Sequence, residues 1–218
     1  DFDRYPRQEA DDRDKLSAIG TDLLYAPSLK EIYPTGFATT VSVKGLTNGL
    51  CGAIRPGHFD GVTTVVTKLL LQCLADVAIF GEKDYQQYAV LKRMVRDLDI
   101  PIEVIGAPIM RDPDGLATSS RNVYLTGEER QKALSLPRTL TDIVKALEAG
   151  ESDIKVLLDK GRQNLLQGGF DSVDYLELRD AESLETVEVL TRPSRVLAAG
   201  QMGKTRLIDN MAVTPPTG

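Results

Sequence analysis

Four groups of side chains in this 218-residue chain have the chemistry to bind an anion. Lys83 is a point charge within Gly81-Glu82-Lys83-Asp84, directly after the apolar run Val77 to Phe80. Ser119, Ser120 and Arg121 place two hydroxyls, the backbone N–H groups around them and a guanidinium side by side. That set suits phosphate oxygens, where charge-assisted and bidentate hydrogen bonds outperform neutral ones. Arg55 and His58 flank Pro56-Gly57 ahead of an apolar segment and add a cation and a donor that titrates near neutrality. Gln86 and Gln87 offer neutral amides for a hydroxyl or a carboxylate. Each group alone also fits a capping loop or a solvated turn, and it is their agreement on one anion that points to a site. Asp11 and Asp12 have the chemistry for Mg2+, but acids in the first turn of a helix complement its dipole without any metal.

These residues need a scaffold that aims them. Val77 to Phe80 reads as one buried strand, Gly81 as a turn able to take positive φ, and Tyr85, Tyr88, Leu91, Met94, Val95 and Leu98 as one face of a helix. Strand, glycine, charged tip and helix describe the carboxyl edge of a parallel sheet, where open α/β folds bind ligands. Ile102 to Ile105 supplies another strand and Val62 to Ala75 an apolar helix. Upstream, a polar helix entered after Pro6 stops at Gly20, Thr21 to Ala26 is a short strand, and Ser28 caps a brief helix through Tyr33. Thr39 to Val43 reads as an edge strand and Asn48-Gly49 as a turn. From Pro108 the pattern changes: a turn at Arg111 to Gly115, then helices over Thr126 to Leu136, Leu140 to Glu148 and Ile154 to Leu166. Strands follow at Val173 to Arg179, Arg195 to Gln201 and Thr205 to Asn210, the last two joined by a turn at Met202-Gly203-Lys204.

Bulk properties exclude several classes. The net charge of -6 and the lack of a basic run argue against a nucleic-acid surface. No apolar stretch approaches the ~20 residues that span a bilayer, so no membrane partner is expected. The amino-terminal residues have no apolar signal region, which makes the cytoplasm the expected location. Cys51 and Cys73 read as reduced thiols, and with His58 the single histidine no zinc site is expected.

Three segments narrow the reading. Arg55-Pro56-Gly57-His58-Phe59-Asp60-Gly61-Val62, Gly81-Glu82-Lys83-Asp84-Tyr85-Gln86-Gln87 and Asp114-Gly115-Leu116-Ala117-Thr118-Ser119-Ser120-Arg121-Asn122 resemble, in this order and spacing, the pantothenate synthetase (pantoate–β-alanine ligase) family. The resemblance runs from Asp1 to about Val213. It implies an α/β fold: a Rossmann-like parallel-sheet domain over 1–109, incomplete at its N-terminus, a smaller α+β C-terminal lid domain over 110–213, and a tail over 214–218. It also implies a homodimeric ligase that joins pantoate to β-alanine with ATP and Mg2+ through a pantoyl-adenylate, releasing AMP and pyrophosphate. By resemblance, Gly81, Glu82, Lys83 and Asp84 lie against ATP, with Asp84 toward the ribose and Lys83 toward the phosphates. Met110 would touch the adenine region, and Thr118, Ser119, Ser120 and Arg121 would belong to the loop that closes over the triphosphate. The catalytic group would be Lys83, Ser119, Ser120 and Arg121, with Gln87 holding pantoate and Arg55 and His58 lining its pocket. No metal ligand is assigned.

Two departures from the family pattern stand out. Thr118 occupies a position where the family usually has methionine. The family's amino-terminal strand, its His-x-Gly-His signature and its Asn-Pro-x-Gln-Phe stretch are not in this sequence. The expectation that follows is a chain lacking the family's amino-terminal segment, with little synthetase activity by itself, an exposed sheet edge and a tendency to self-associate. The alternative is a non-catalytic remnant that keeps the fold and a dimer surface; a transferase for another nucleotide, such as a cytidine nucleotide, ranks third.

Overall fold

A computed structural model of the chain describes residues 9–216, so the Pro6 entry to the first helix and the end of the expected tail lie outside the described residues. The chain divides into two compact units, Asp1–Thr39 and Thr40–Gly218. In the first, α1 (Glu9–Ala18) carries Glu9, Asp11 and Asp12 in its first turn and Lys15 in its last, the arrangement its dipole favours. The short α2 (Leu29–Ile32) starts at Ser28 in a reciprocal cap. Ser28 N donates to the Glu31 carboxylate at 2.6 Å and Glu31 N to Ser28 Oγ at 3.4 Å. Thr21 to Ala26 is extended but forms no strand: Leu23 is 80% exposed, and no described strand pairs with the segment.

The second unit opens with another correction. The β-branched Thr39 to Val43 segment implies a sheet edge, yet no ladder forms there. Val41 N donates instead to Thr64 Oγ1 at 2.9 Å, and Val41 O accepts from Thr63 Oγ1 at 2.5 Å. Two threonine hydroxyls on a helix thus satisfy backbone groups that a neighbouring strand would otherwise take. After α3 (Leu50–Ile54), that helix, α4 (His58–Cys73), begins four residues earlier than its apolar pattern implies. Gly57 at φ 74 makes the turn into it, and His58 therefore sits in its first turn.

Next come β1 (Val77–Gly81), a 3-10 turn over Glu82–Asp84, α5 (Tyr85–Asp97) and β2 (Glu103–Ala107). β1 and β2 pair in parallel, Val77 opposite Glu103 through Gly81 opposite Ala107. β1 is not the fully buried strand its composition suggests. Ala78 and Phe80 pack inward, whereas Ile79 is 67% exposed and Ile105 on β2 is 41% exposed. α5 packs on one face of this pair, with α4 beside α5.

A 3-10 helix (Ser120–Tyr124) leads into α6 (Gly127–Ala133), α7 (Ser135–Glu148) and α8 (Ile154–Gln167). The break between α6 and α7 falls at Leu134, earlier than expected. Pro137 then lies in the first turn of α7, where its missing N–H leaves no bond unmade. β3 (Ser172–Asp180), β4 (Ser194–Met202) and β5 (Thr205–Val213) form an antiparallel sheet in that order. Alternate residues face opposite sides. Leu176, Leu178, Val196 and Ala198 join the core under α7 and α8, while Tyr175, Leu197 and Ala199 pack with Val90, Leu91 and Met94 of α5. The fold is α/β, a two-stranded parallel sheet accompanied by a three-stranded antiparallel one. Among the described residues no helix is long and apolar enough to cross a membrane.

Candidate functional site

The 3-10 turn after β1 carries Lys83 into a cleft. Ser119 and Asn122 from the following segment line the same cleft, as do Arg206 and Asp209 from β5. Lys83 and the serine loop therefore meet at one place, although 36 residues separate Lys83 from Ser119. Lys83 Nζ lies 3.9 Å from Asp84 Oδ2, with its side chain 19% exposed. Gly81 differs from expectation: its φ is -68, and a Cβ there would meet nothing within 4 Å. Neither backbone strain nor crowding within the chain requires glycine at this point.

Glu82 commits its carboxylate to a residue of the antiparallel sheet. Arg195 Nη2 donates to Glu82 Oε2 at 2.5 Å, and a Cβ on Gly106 would come within 2.8 Å of Glu82 Oε1. Any nucleotide contact at Glu82 would be made by its backbone. Gln86 is a second correction. It is buried and spends its amide inside the protein, donating to Leu46 O at 2.8 Å and Gly49 O at 2.9 Å while accepting from Cys51 N at 3.0 Å. Gln87, one residue on, is half-buried.

The serine loop is set by the segment before it. Asp112 N donates to Leu116 O, Gly115 takes φ 93, and Thr118 N donates to Met110 O at 2.9 Å. Arg111 pins this hairpin to β5 with a two-pronged bond to Asp209, at 2.8 and 3.0 Å, and also donates to Gly115 O at 3.1 Å. Thr118 Oγ1 donates to Asp112 at 2.6 Å; this bond, ahead of that from Arg130, holds the Asp112 carboxyl below its usual range. Met110 is 75% exposed. Ser119 caps the 3-10 helix, its Oγ accepting from Arg121 N at 3.3 Å, while Ser120 is exposed and Arg121 half-buried.

Arg55 Nη1 sits 3.1 Å from His58 Nε2. Because guanidinium only donates, Nε2 accepts, which is the neutral ring. Burial and then the Arg55 charge hold the His58 pKa below its ordinary value; Asp84 opposes this, and Arg206 and Arg121 reinforce it. Burial likewise lowers the Arg55 pKa, with Arg206 and Arg121 adding to the effect. Three guanidiniums and an imidazole from distant parts of the chain thus feel one another, a configuration that an anion relieves. On His58's account folding stability is full above its ordinary value and declines as pH falls through the lowered one. Anion binding should raise that pKa again, so binding below neutral pH takes up protons. Calorimetry in two buffers of different ionisation enthalpy should detect this uptake, and His58→Gln should abolish it; a buffer-independent heat for the unaltered protein would refute it.

Arg206, Arg111, Asp209 and Asn210 were not singled out from sequence. Arg206 Nε donates to Asp174 at 2.7 Å, and its two terminal nitrogens each lie 3.6 Å from Cys51 Sγ, a weak acceptor. A signal did exist, since Asp209-Asn210 interrupts an apolar strand and both residues are 2% exposed. Among the described residues no three His, Cys, Asp or Glu side chains are placed to hold a metal together.

Comparison with known proteins gives a consistent result. A family described as Pantoate-beta-alanine ligase matches residues 1–212. The chain is 60% identical over 215 residues to a pantothenate synthetase of Paramagnetospirillum magneticum, covering 99% of this chain and 75% of that protein. The crystal structure of pantothenate synthetase from Thermus thermophilus superposes with a TM-score of 0.93 at 46% identity, over 99% of this chain and 78% of that one. A pantoate–β-alanine ligase from Francisella tularensis, solved in complex with β-γ ATP and β-alanine, matches at 32% identity and a TM-score of 0.76, over 97% and 72% of the two chains.

Proposed function

The chain belongs to the pantoate–β-alanine ligase family, and from that premise we propose that the Lys83 cleft is a site for making pantothenate in two steps, with low turnover from these 218 residues by themselves. Pantoate carboxylate attacks the α-phosphorus of ATP, giving pantoyl-adenylate and pyrophosphate. The amine of β-alanine then attacks the acyl carbon and AMP leaves. The observation that carries this reading is the shared cleft, with Lys83 from the sheet edge and Ser119 and Arg206 from the second half on its walls.

The first step joins two anions, so the protein's task is alignment and neutralisation of the charge that moves onto pyrophosphate. Lys83 and Arg121 are assigned to that charge, and Ser119 and Ser120 to phosphate oxygens through their hydroxyls and backbone N–H groups. Gly81, Glu82 and Asp84 are assigned to the nucleoside side, Glu82 by its main chain and Asp84 toward the ribose. Met110 and Thr118 are assigned to the adenine side. Gln87, Arg55 and His58 are assigned to pantoate, whose carboxylate and hydroxyls match an amide, a guanidinium and a neutral imidazole. Mg2+ would arrive on the ATP phosphates, the usual way this ion is held in phosphoryl-transfer sites. Residues 110–213 serve as the lid that keeps water from the acyl-adenylate. A homodimer and a cytoplasmic location belong to the same proposal.

Isotope exchange tests the adenylate directly. Labelled pyrophosphate should enter ATP when pantoate is present and β-alanine is withheld. Pantothenate formation without that exchange would overturn the two-step reading.

A further inference from the structure

Asp209 and Asn210, adjacent on β5, hold the two phosphate-facing elements separately. Asp209 takes the Arg111 fork that sets the serine loop, and Asn210 points the other way, as successive strand residues do. Asn210 Nδ2 donates to Glu82 O at 2.9 Å and to Lys83 O at 3.0 Å. Its Oδ1 accepts from Arg195. Arg195 also holds the Glu82 carboxylate and stacks 3.9 Å over the Tyr85 ring, and Tyr85 OH donates to Ala181 O at 2.9 Å. A three-residue 3-10 turn has few bonds of its own. Here its two successive carbonyls are both gripped by one buried amide from the antiparallel sheet.

We infer that Asn210 is a positioning residue: it fixes the backbone of the Glu82–Asp84 turn and so aims Lys83 Nζ into the cleft. The inference rests on the nucleotide reading above and extends it, since it makes a strand of the second half responsible for a phosphate contact made by the first. A merely structural amide would lower the melting temperature with no dependence on Lys83.

The test is a double-mutant cycle read by ATP binding in calorimetry, using the unaltered protein, Asn210→Ala, Lys83→Ala and the double variant. Asn210→Ala should weaken ATP about tenfold, within the coupling range of residues that act through one another. Added to Lys83→Ala it should change ATP affinity by less than about twofold, and the KM for pantoate should stay near that of the unaltered enzyme. If Asn210→Ala does not fold, Arg195→Lys, which keeps a charge for Glu82 but frees Asn210 Oδ1, is put through the same cycle. Equal effects of the Asn210 change with and without Lys83, or no effect in either, overturn the inference alone. If Lys83→Ala binds ATP as the unaltered protein does, the nucleotide reading falls and the inference with it.

Discussion

Replacing Lys83 with alanine should slow pyrophosphate release by about 10²–10³-fold, the loss seen when one preorganised donor to a developing anion is removed. The substitution deletes a charge that lines the cleft from the end of β1. It should do little to folding. Lys83 approaches Asp84 at 3.9 Å, the Asp84 side chain is 49% exposed, and such surface pairs contribute between nothing and about 1 kcal/mol. A large rate effect with an almost unchanged melting temperature is therefore the signature. Lys83→Arg should restore only part of the rate, because a planar fork does not reproduce a compact ammonium at the same point. Single-turnover pyrophosphate release, measured with pantoate and ATP alone, separates this step from the attack of β-alanine. A rate within about threefold of the unaltered enzyme would remove Lys83 from the chemistry and leave stabilisation of the developing anion to Arg121 and Arg206.

The sheet-edge half of the site was legible because it obeys local rules. A short apolar run, a charged tip and a helical period put Lys83 just past a strand and Gln87 in the first turn of a helix with no knowledge of distant partners, and β1, α5 and β2 fall within two residues of where that pattern puts them. What was hidden depends on contacts remote in sequence. The backbone of Val41 is satisfied by hydroxyls on α4, so its β-branched neighbourhood makes no strand. Gln86 and Gln87 are chemically equal in the sequence, and only the carbonyls of Leu46 and Gly49 decide that the first is a clamp. Glu82 belongs to Arg195, 113 residues further along. Asp209 and Asn210 were readable as polar intrusions in an apolar strand, but their partners were not.

Arg111→Ala is the substitution expected to cost most in stability. The Asp209 side chain is 1% exposed and takes both prongs of the guanidinium, with Asn210 N as a further donor at 2.7 Å. Removing Arg111 leaves a buried carboxylate without its counter-charge, a change that costs about 3–5 kcal/mol in comparable pairs. The Arg111 side chain is 27% exposed, so water reaches the vacated place and the lower end, about 3 kcal/mol, applies. For a chain of this size that is a fall of roughly 6–12 °C in melting temperature. Stability and loop placement can be pulled apart with a second variant. Arg111→Met combined with Asp209→Leu removes both charges and should recover most of the loss, since apolar replacements of a buried pair are often neutral. It cannot restore the bond from Arg111 to Gly115 O, which helps fix the hairpin ahead of Ser119. The double variant should therefore melt near the unaltered protein yet bind ATP more weakly, the loss lying in the serine loop. If it regains ATP affinity along with stability, the hairpin holds its own shape and Arg111 serves only to neutralise Asp209. A melting temperature for Arg111→Ala within about 2 °C of the unaltered protein, equivalent to under about 1 kcal/mol, would mean that Asn210 N and solvent already satisfy the carboxylate.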